Sequence, residues 1–425
     1  MTPEIKQRIE QIRRGEVPEG YKKTKVGIVP EEWEETRFRN MFSRITRKNK
    51  EGNDNVLTIS AQYGLISQRD FFNKDIASED KSNYYLLKNG EFAYNKSYSN
   101  GYPFGALKRL DMYDKGIVSP LYICFAATED NKCPDFYVHY FEAGKMNREI
   151  QAFAQEGARN HGLLNISVDD FFNSYIVAPS FVEQEKIAEI LSAQDKLIEL
   201  KEKLIEEKKK QKKYIIHQIL SEQIKLKNKD GSKYPKWETN NIGTYLTSRN
   251  EKQVPTEEAP LMAFVADVGV IPKGERYDRS FLVKNDEKEY KRTELNDFIY
   301  SSNNLDVGSI GLNNYGSAVI SVVYEIFSVN SNAVPIVISE IIQMKSNINK
   351  ILRYRQGALY GQYRIFAEDF LAVKINVPSF EEQQVIAKIM LLLEKEIELL
   401  QKELDQEKQK KKALMQLLLT GIVRV

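Results

Sequence analysis

The chain has 425 residues, 42% of them apolar and 29% charged, with a formal net charge of +2 at pH 7. That length predicts roughly two to three domains with real cores, and so small a net charge means that any affinity for nucleic acid must come from charge placed locally. Two cysteines, Cys124 and Cys133, and three scattered histidines exclude a disulfide framework and offer no zinc-site spacing; a reducing cytoplasm fits best.

Residues 4–14 predict a short amphipathic helix, with Ile5, Ile9 and Ile12 at helical spacing. The N-terminus is polar from its second residue and lacks the apolar core of a signal peptide. Residues 15–33, with Pro18 and Pro30, read as an extended lead-in. From Trp33 to Ala178 the pattern is β-rich, with candidate strands at 56–60, 90–94, 116–125 and 175–177. The apolar spacing of 136–153 suits a helix, and a short helix at 168–172 follows Ser167. The polar turn 228–236, holding Asp230-Gly231 and Pro235, marks a domain boundary. The longest uncharged run, 307–324, is broken by glycines and asparagines and reads as strand–turn–strand, not as a membrane span.

Two stretches organise this layout. Residues 179–221 begin PSFVEQE and 378–420 begin PSFEEQQ; each then runs about forty residues without glycine or a further proline. The halves before them also echo each other. Trp33 corresponds to Trp237, 63–66 to 268–271, 91–97 to 297–303, 116–125 to 317–327, and Gly157-Ala158 to Gly357-Ala358. In the second long helix Met390, Leu393, Ile397, Leu400, Leu404, Glu407, Lys411, Leu414 and Leu418 follow a heptad seam. The first repeats it at Leu191, Gln194, Ile198, Lys201, Ile205, Lys208, Lys212, Ile215 and Ile219. A rod of roughly 60 Å cannot bury that stripe alone, so the two copies are expected to pack antiparallel. The expected fold is α+β: two β-rich domains separated by an antiparallel coiled coil, with an internal pseudo-two-fold repeat. The expected segments are a lead-in (1–22), a first β-rich domain (23–178), a first long helix (179–227), a second β-rich domain (228–377) and a second long helix (378–425). The lysine runs at 208–213 and 408–412 read as solvated faces, and the seam's polar middle, 201–213, as a place where the helices splay or a partner covers them.

Catalytic signatures are missing. The sequence holds no phosphate-binding Gly-x-x-x-x-Gly-Lys, no His-Glu-x-x-His, no Gly-x-Ser-x-Gly and no Asn-Pro-Pro-aromatic motif. Cys124 and Cys133 read as buried packing. The chain reads as a binding device, whose loops mix basic, amide and aromatic side chains able to read base edges or hold phosphates. In the first half the candidates are Arg44, Arg47 and Lys48, then Tyr63, then Lys96, Tyr98, Asn100 and Tyr102, and finally Arg159, Asn160 and His161. In the second half they are Ser302, Asn303 and Asn304, then Arg353, Arg355, Tyr360, Gln362 and Arg364.

The chain resembles the specificity subunit of type I restriction–modification systems. The residues that carry the likeness are 27–33 (GIVPEEW), the 90–94 and 116–125 strands, and above all the junctions 177–185 (VAPSFVEQE) and 377–384 (VPSFEEQQ). The resemblance implies two target-recognition domains, each reading one half of a split, asymmetric site in double-stranded DNA. It implies a coiled coil that sets the gap and docks two modification (methyltransferase) subunits, joined by restriction subunits. It also implies no catalysis in this chain: S-adenosylmethionine, ATP and magnesium belong to the partner subunits. Competing readings are a fused methyltransferase or nuclease, a coiled-coil scaffold that binds only protein, and a specificity subunit of another restriction–modification class.

Overall fold

Each long helix starts where its serine caps it. The helices run Phe181–Leu220 and Phe380–Leu418. The Ser180 hydroxyl accepts from the Glu183 amide at 3.4 Å and the Ser379 hydroxyl from the Glu382 amide at 3.3 Å, satisfying one orphan donor of each first turn. The following glutamine folds back. Gln184 Nε2 donates to the Pro179 carbonyl at 2.9 Å, and Gln383 Nε2 to the Pro378 carbonyl at 3.0 Å. The repeated Pro-Ser-Phe-x-Glu-Gln junction is thus a helix start that ties its own entry strand. Both helices stop at a left-handed residue, Glu222 (φ 58°) after the first and Gly421 (φ 67°) after the second.

In this computed structural model, which describes residues 2–60, 64–72, 80–98, 101–128, 133–156, 164–265, 268–272, 288–303, 305, 310–357 and 363–425, the chain forms two units. Unit 1 comprises Met1–Lys203 and Gln401–Val425, and unit 2 comprises Leu204–Leu400. The division cuts both long helices, so each unit holds one β-rich body and one half of the helix pair.

Unit 1 contains a four-stranded antiparallel sheet in the order Phe42–Ile45, Ile123–Ala127, Phe92–Asn95, Ala106–Arg109. Lys115–Val118 pairs with Tyr85–Lys88, Leu57–Ser60 with Gly64–Ser67, and Tyr175–Ala178 with Glu34–Arg37. Residues 116–125 are therefore two strands in two sheets, not one: Pro120 cannot continue the ladder, and a turn closes with the Tyr122 amide on the Ser119 carbonyl at 3.0 Å. The expected helix over 136–153 is likewise two, Pro134–Glu142 and Asn147–Phe153, parted at Gly144 (φ 67°). The core is aromatic. Phe38, Phe42, Phe92, Phe125, Tyr137, Phe141 and Phe171 interlock at ring separations from 4.6 to 6.1 Å. Ile187 and Leu191 of the first helix and Leu418 of the second close over that core. The chain's end returns here: Tyr21 donates to the Gly421 carbonyl at 2.6 Å and Arg8 to that of Ile422 at 2.5 Å.

Unit 2 repeats the sheet order with Leu246–Ser248, Tyr324–Val329, Phe298–Ser301 and Ile310–Leu312. Ala318–Ile320 pairs with Tyr290–Thr293, Met262–Val265 with Gly269–Pro272, and Lys374–Val377 with Glu238–Asn241. The helices Pro335–Gln343 and Lys345–Leu352 match the pair in unit 1. The filling differs. Val337, Ile338, Ile341 and Ile342 stand where unit 1 places tyrosine and phenylalanine.

The helix pair is antiparallel in both units, and every seam position named above is buried or half-buried. Its polar middle does not splay. In unit 1 Lys201 meets Glu403 at 2.7 Å, Lys408 meets Glu202 at 2.6 Å, Lys411 meets Asp195 at 2.5 Å, and Gln194 donates to Glu407 at 2.8 Å. In unit 2 Lys208 meets Glu396 at 2.6 Å, and Lys212 pairs with Glu394. Much of the lysine run thus reaches across to the facing helix, while Lys209 and Lys210 pair within their own helix and remain a solvated face.

Candidate nucleic-acid interface

A shared backbone bond builds the same loop junction in each unit. In unit 1 the Leu164 amide donates to the Lys96 carbonyl at 3.0 Å. In unit 2 the Ile365 amide donates to the Ser302 carbonyl at 3.0 Å. Lys96 and Ser302 hold equivalent places, each just past the strand that carries Tyr94 or Tyr300. The loop leaving that strand is therefore held against the loop that precedes the short helix Val168–Asn173 or Ala367–Leu371. Sequence-distant polar loops meet in both copies, and the scaffold that joins them is main chain. The side chains on it are free to differ.

In unit 1, Tyr98 is 63% exposed beyond that junction. Burial holds the Lys96 amine below its ordinary value. Tyr102 turns the other way: it donates to Glu142 at 2.6 Å and accepts from Lys108 at 2.9 Å, and Lys108 is ion-paired to Glu142. Burial, reinforced by Glu142, drives its phenol well above the usual range. Arg44 is exposed on the strand Phe42–Ile45. Arg47 and Lys48 are engaged with the neighbouring sheet, Arg47 to Glu91 at 2.6 Å and the Lys48 ammonium 4.3 Å over the Tyr85 ring. Unit 2 pins the matching acidic residue in a similar way, Arg249 donating to Asp297 at 3.2 Å. Tyr63, Asn100, Arg159, Asn160 and His161 lie outside the described residues, as do Asn304, Tyr360 and Gln362 in unit 2.

In unit 2, Ser302 is buried and donates to the Val323 carbonyl at 3.2 Å, so its hydroxyl fastens the loop; Asn303 beside it is half-buried. The structure brings Arg355 and Arg364 together. Gln356 and Arg364 exchange both backbone bonds, at 2.9 and 3.3 Å. Arg355 lies 5.7 Å over the ring of Tyr363 and Arg364 lies 4.8 Å over that of Phe366. Tyr363 and Phe366 are themselves exposed, giving a basic, aromatic surface suited to a base or a sugar-phosphate edge. Arg353, exposed, follows the helix Lys345–Leu352. Gln356 Nε2 donates to Asp369 at 2.8 Å and ties this backbone bridge to the short helix.

Two residues escaped the sequence reading. Glu325 Oε2 accepts from Lys291 Nζ at 2.7 Å with both side chains nearly buried, and Glu325 Oε1 faces Arg364 at 3.3 Å. The available signal was the lone glutamate inside the apolar run 322–327, since a charge in a strand core demands a partner.

Among the described residues no group of three histidine, cysteine or acidic side chains could hold a metal ion. Cys124 is buried, and burial pushes its thiol up to about 12, the opposite of an activated nucleophile. No helix among them is long and apolar enough to cross a membrane.

Residues 233–408 match the type I restriction modification DNA specificity domain. The chain is 25% identical over 430 residues to a putative type I restriction enzyme MjaX specificity subunit of Methanocaldococcus jannaschii, covering 96% of this chain and 97% of that one. The chain is similar to type I specificity subunits over most of its length, and residues 233–408 are the part that the family model matches. Solved structures share its fold. A chain from a type I restriction–modification system superposes with a TM-score of 0.58 at 14% identity, covering 93% of this chain and 99% of that one. The HsdS subunit of Thermoanaerobacter tengcongensis gives 0.50 at 14% identity, covering 93% and 98%. The matched model spans the β-rich body of unit 2 together with most of the second helix.

Proposed function

We propose that unit 1 and unit 2 each read one half of a bipartite, asymmetric site in double-stranded DNA. The paired long helices set the unread gap and dock two methyltransferase subunits, to which restriction subunits add. The observation that carries this reading is the repeated loop junction, Leu164 on Lys96 and Ile365 on Ser302. One main-chain frame presents two different sets of side chains. Two readers of different sequences require that arrangement; a scaffold that binds only protein does not.

The chain itself performs no chemistry in this reading. S-adenosylmethionine is bound by the methyltransferase subunits, ATP and magnesium by the restriction subunits, and the complex works in the cytoplasm on chromosomal DNA.

Methylome sequencing of a host carrying the whole system tests the proposal. The expected result is one two-part motif with a fixed gap, in which Arg159→Ala alters only one half. A continuous motif, or methylation by the purified chain alone, overturns it.

A further inference from the structure

Lys291, Glu325 and Arg364 form a charged triad with no counterpart in the other copy. Lys291 and Glu325 have side chains only 11% and 12% exposed, while that of Arg364 is half-exposed. In the repeated sheet, Tyr300 pairs with Glu325 just as Tyr94 pairs with Ile123, so Ile123 holds the position of Glu325. By the same register Tyr85, opposite Val118, holds the position of Lys291, opposite Ile320. The fold therefore forms without the buried charges. Burying an ion pair carries a desolvation penalty that a well-packed apolar pair avoids, so stability is a poor account of its presence in one copy only.

What the pair does is aim a third group. Lys291 neutralises one carboxylate oxygen, and the other meets an Arg364 amino group at 3.3 Å. Phe366 supports the guanidinium 4.8 Å from its ring centroid. Backbone bonds to Gln356 at 2.9 and 3.3 Å fix the segment beneath it. One charge of +1 is left over, on a planar fork held at one corner and on one face. A phosphate contact needs only charge and tolerates a mobile side chain; a base edge needs the fork in one orientation.

Building on the two-reader function above, we propose that Glu325 is a specificity-determining positioning residue: it orients Arg364 to read one guanine, through the O6 and N7 acceptors of the major-groove edge, in the half-site of unit 2. Lys291 holds the Glu325 carboxylate in place through the 2.7 Å bond to Oε2. Neither Glu325 nor Lys291 touches DNA.

The test uses the complete complex in its host, with methylome sequencing as the readout and thermal unfolding of the purified subunit as a control. Glu325→Gln keeps an acceptor for Lys291 but weakens the hold on Arg364. The double variant Lys291→Tyr with Glu325→Ile installs the residues that the other copy folds with. Both are expected to relax preference at one guanine position of one half-site by roughly tenfold or more, leaving the other half-site, the gap and the unfolding temperature unchanged. Arg364→Ala and Arg364→Lys relax the same position, the latter because lysine keeps the charge and loses the fork. An unchanged motif in Glu325→Gln and in the double variant overturns the proposal. So does a drop in methylation that is uniform over all sites, which assigns Arg364 to phosphate. A wild-type complex that methylates no two-part motif refutes instead the function on which the proposal rests.

Discussion

Trp33 donates its indole N–H to Glu183 at 3.1 Å, tying the entry of unit 1 to the first turn of the first long helix 150 residues later. Trp237 makes the same bond to Glu382 at 3.0 Å in unit 2. Glu183 carries more. Arg424, near the chain's end, meets it at 2.5 and 2.9 Å, and this bonding raises the guanidinium pKa above its ordinary value. Among the described residues the Glu382 carboxylate bonds to the tryptophan alone, and burial raises its carboxyl above the usual range.

The two glutamates are thus unequal. Glu183→Ala strands a buried indole donor and an arginine, and is expected to cost unit 1 about 3 kcal/mol. Glu382→Ala is expected to cost unit 2 only about 1–2 kcal/mol. The sequence has two tryptophans, one per unit, so fluorescence-monitored denaturation of Trp33→Phe and Trp237→Phe backgrounds reports each unit separately. Equal losses in the two units would refute the assignment.

The two left-handed helix ends make a second pair. Gly421 packs so closely that a Cβ would lie 2.4 Å from Pro30 Cγ and 3.1 Å from Trp33 Cζ2, at φ +67°. Gly421→Ala therefore meets strain and a clash together, and is expected to destabilise unit 1 by about 2 kcal/mol or more. Glu222 holds φ 58° with a side chain already present. Glu222→Gly is expected to stabilise unit 2 by up to about 1 kcal/mol. Urea midpoints measured at constant slope check both signs.

Repetition made much of this visible in the sequence, and long-range pairing hid the rest. The long helices, their seam and their starts were legible because helix spacing and capping are local. The loops around Lys96 and Ser302 were legible as candidates because the same positions recur. The break inside 116–125 was signalled only by Pro120, which the apolar run on either side outweighed. The Lys291–Glu325 pair spans 34 residues and two strands, and the Arg424–Glu183 pair spans 241, so neither leaves a local pattern.

The helix pair meets each β-rich body through a titratable group, and the two groups differ. In unit 1 His139 is buried, with Nε2 at 3.1 Å from the Ser192 hydroxyl and Nδ1 at 3.8 Å from Asp195, which is paired with Lys411. Burial lowers its pKa, and Lys411 adds to this against the opposing pull of Asp195, Asp135 and Glu142. In unit 2 the matching helix carries Glu340, whose pKa burial raises against the pull of Lys212 and Lys213. A histidine depressed below 6.5 leaves the unfolded chain holding more protons, so its contribution is full above that value and is lost as pH falls from there through the folded pKa. A carboxyl raised above 4.5 works in the other direction: its contribution is full below that value and is lost as pH rises through the folded pKa. Lowering the pH from 7.5 to 5.5 is thus expected to weaken unit 1 and to spare or strengthen unit 2. His139→Gln should flatten the response of unit 1, read from Trp33 fluorescence. A parallel decline in both units would show that these two groups do not govern it.

The cross-helix ladder makes the proposed gap-setting role testable in a way that one helix alone would not allow. Lys201 with Glu403 and Lys208 with Glu396 fix the register of the antiparallel pair, each contact seven residues from the next on both helices. Seven residues inserted in one helix break that register and are expected to abolish methylation. Seven inserted in both, after Lys203 and after Leu400, keep the seam in phase and lengthen the pair by roughly 10 Å. At about 3.4 Å per base pair that is about three base pairs. The doubly extended subunit is therefore expected to methylate the same two half-sites across a gap about three base pairs longer, as read by methylome sequencing. Retention of the original gap by an active, doubly extended complex would show that the helices do not measure it.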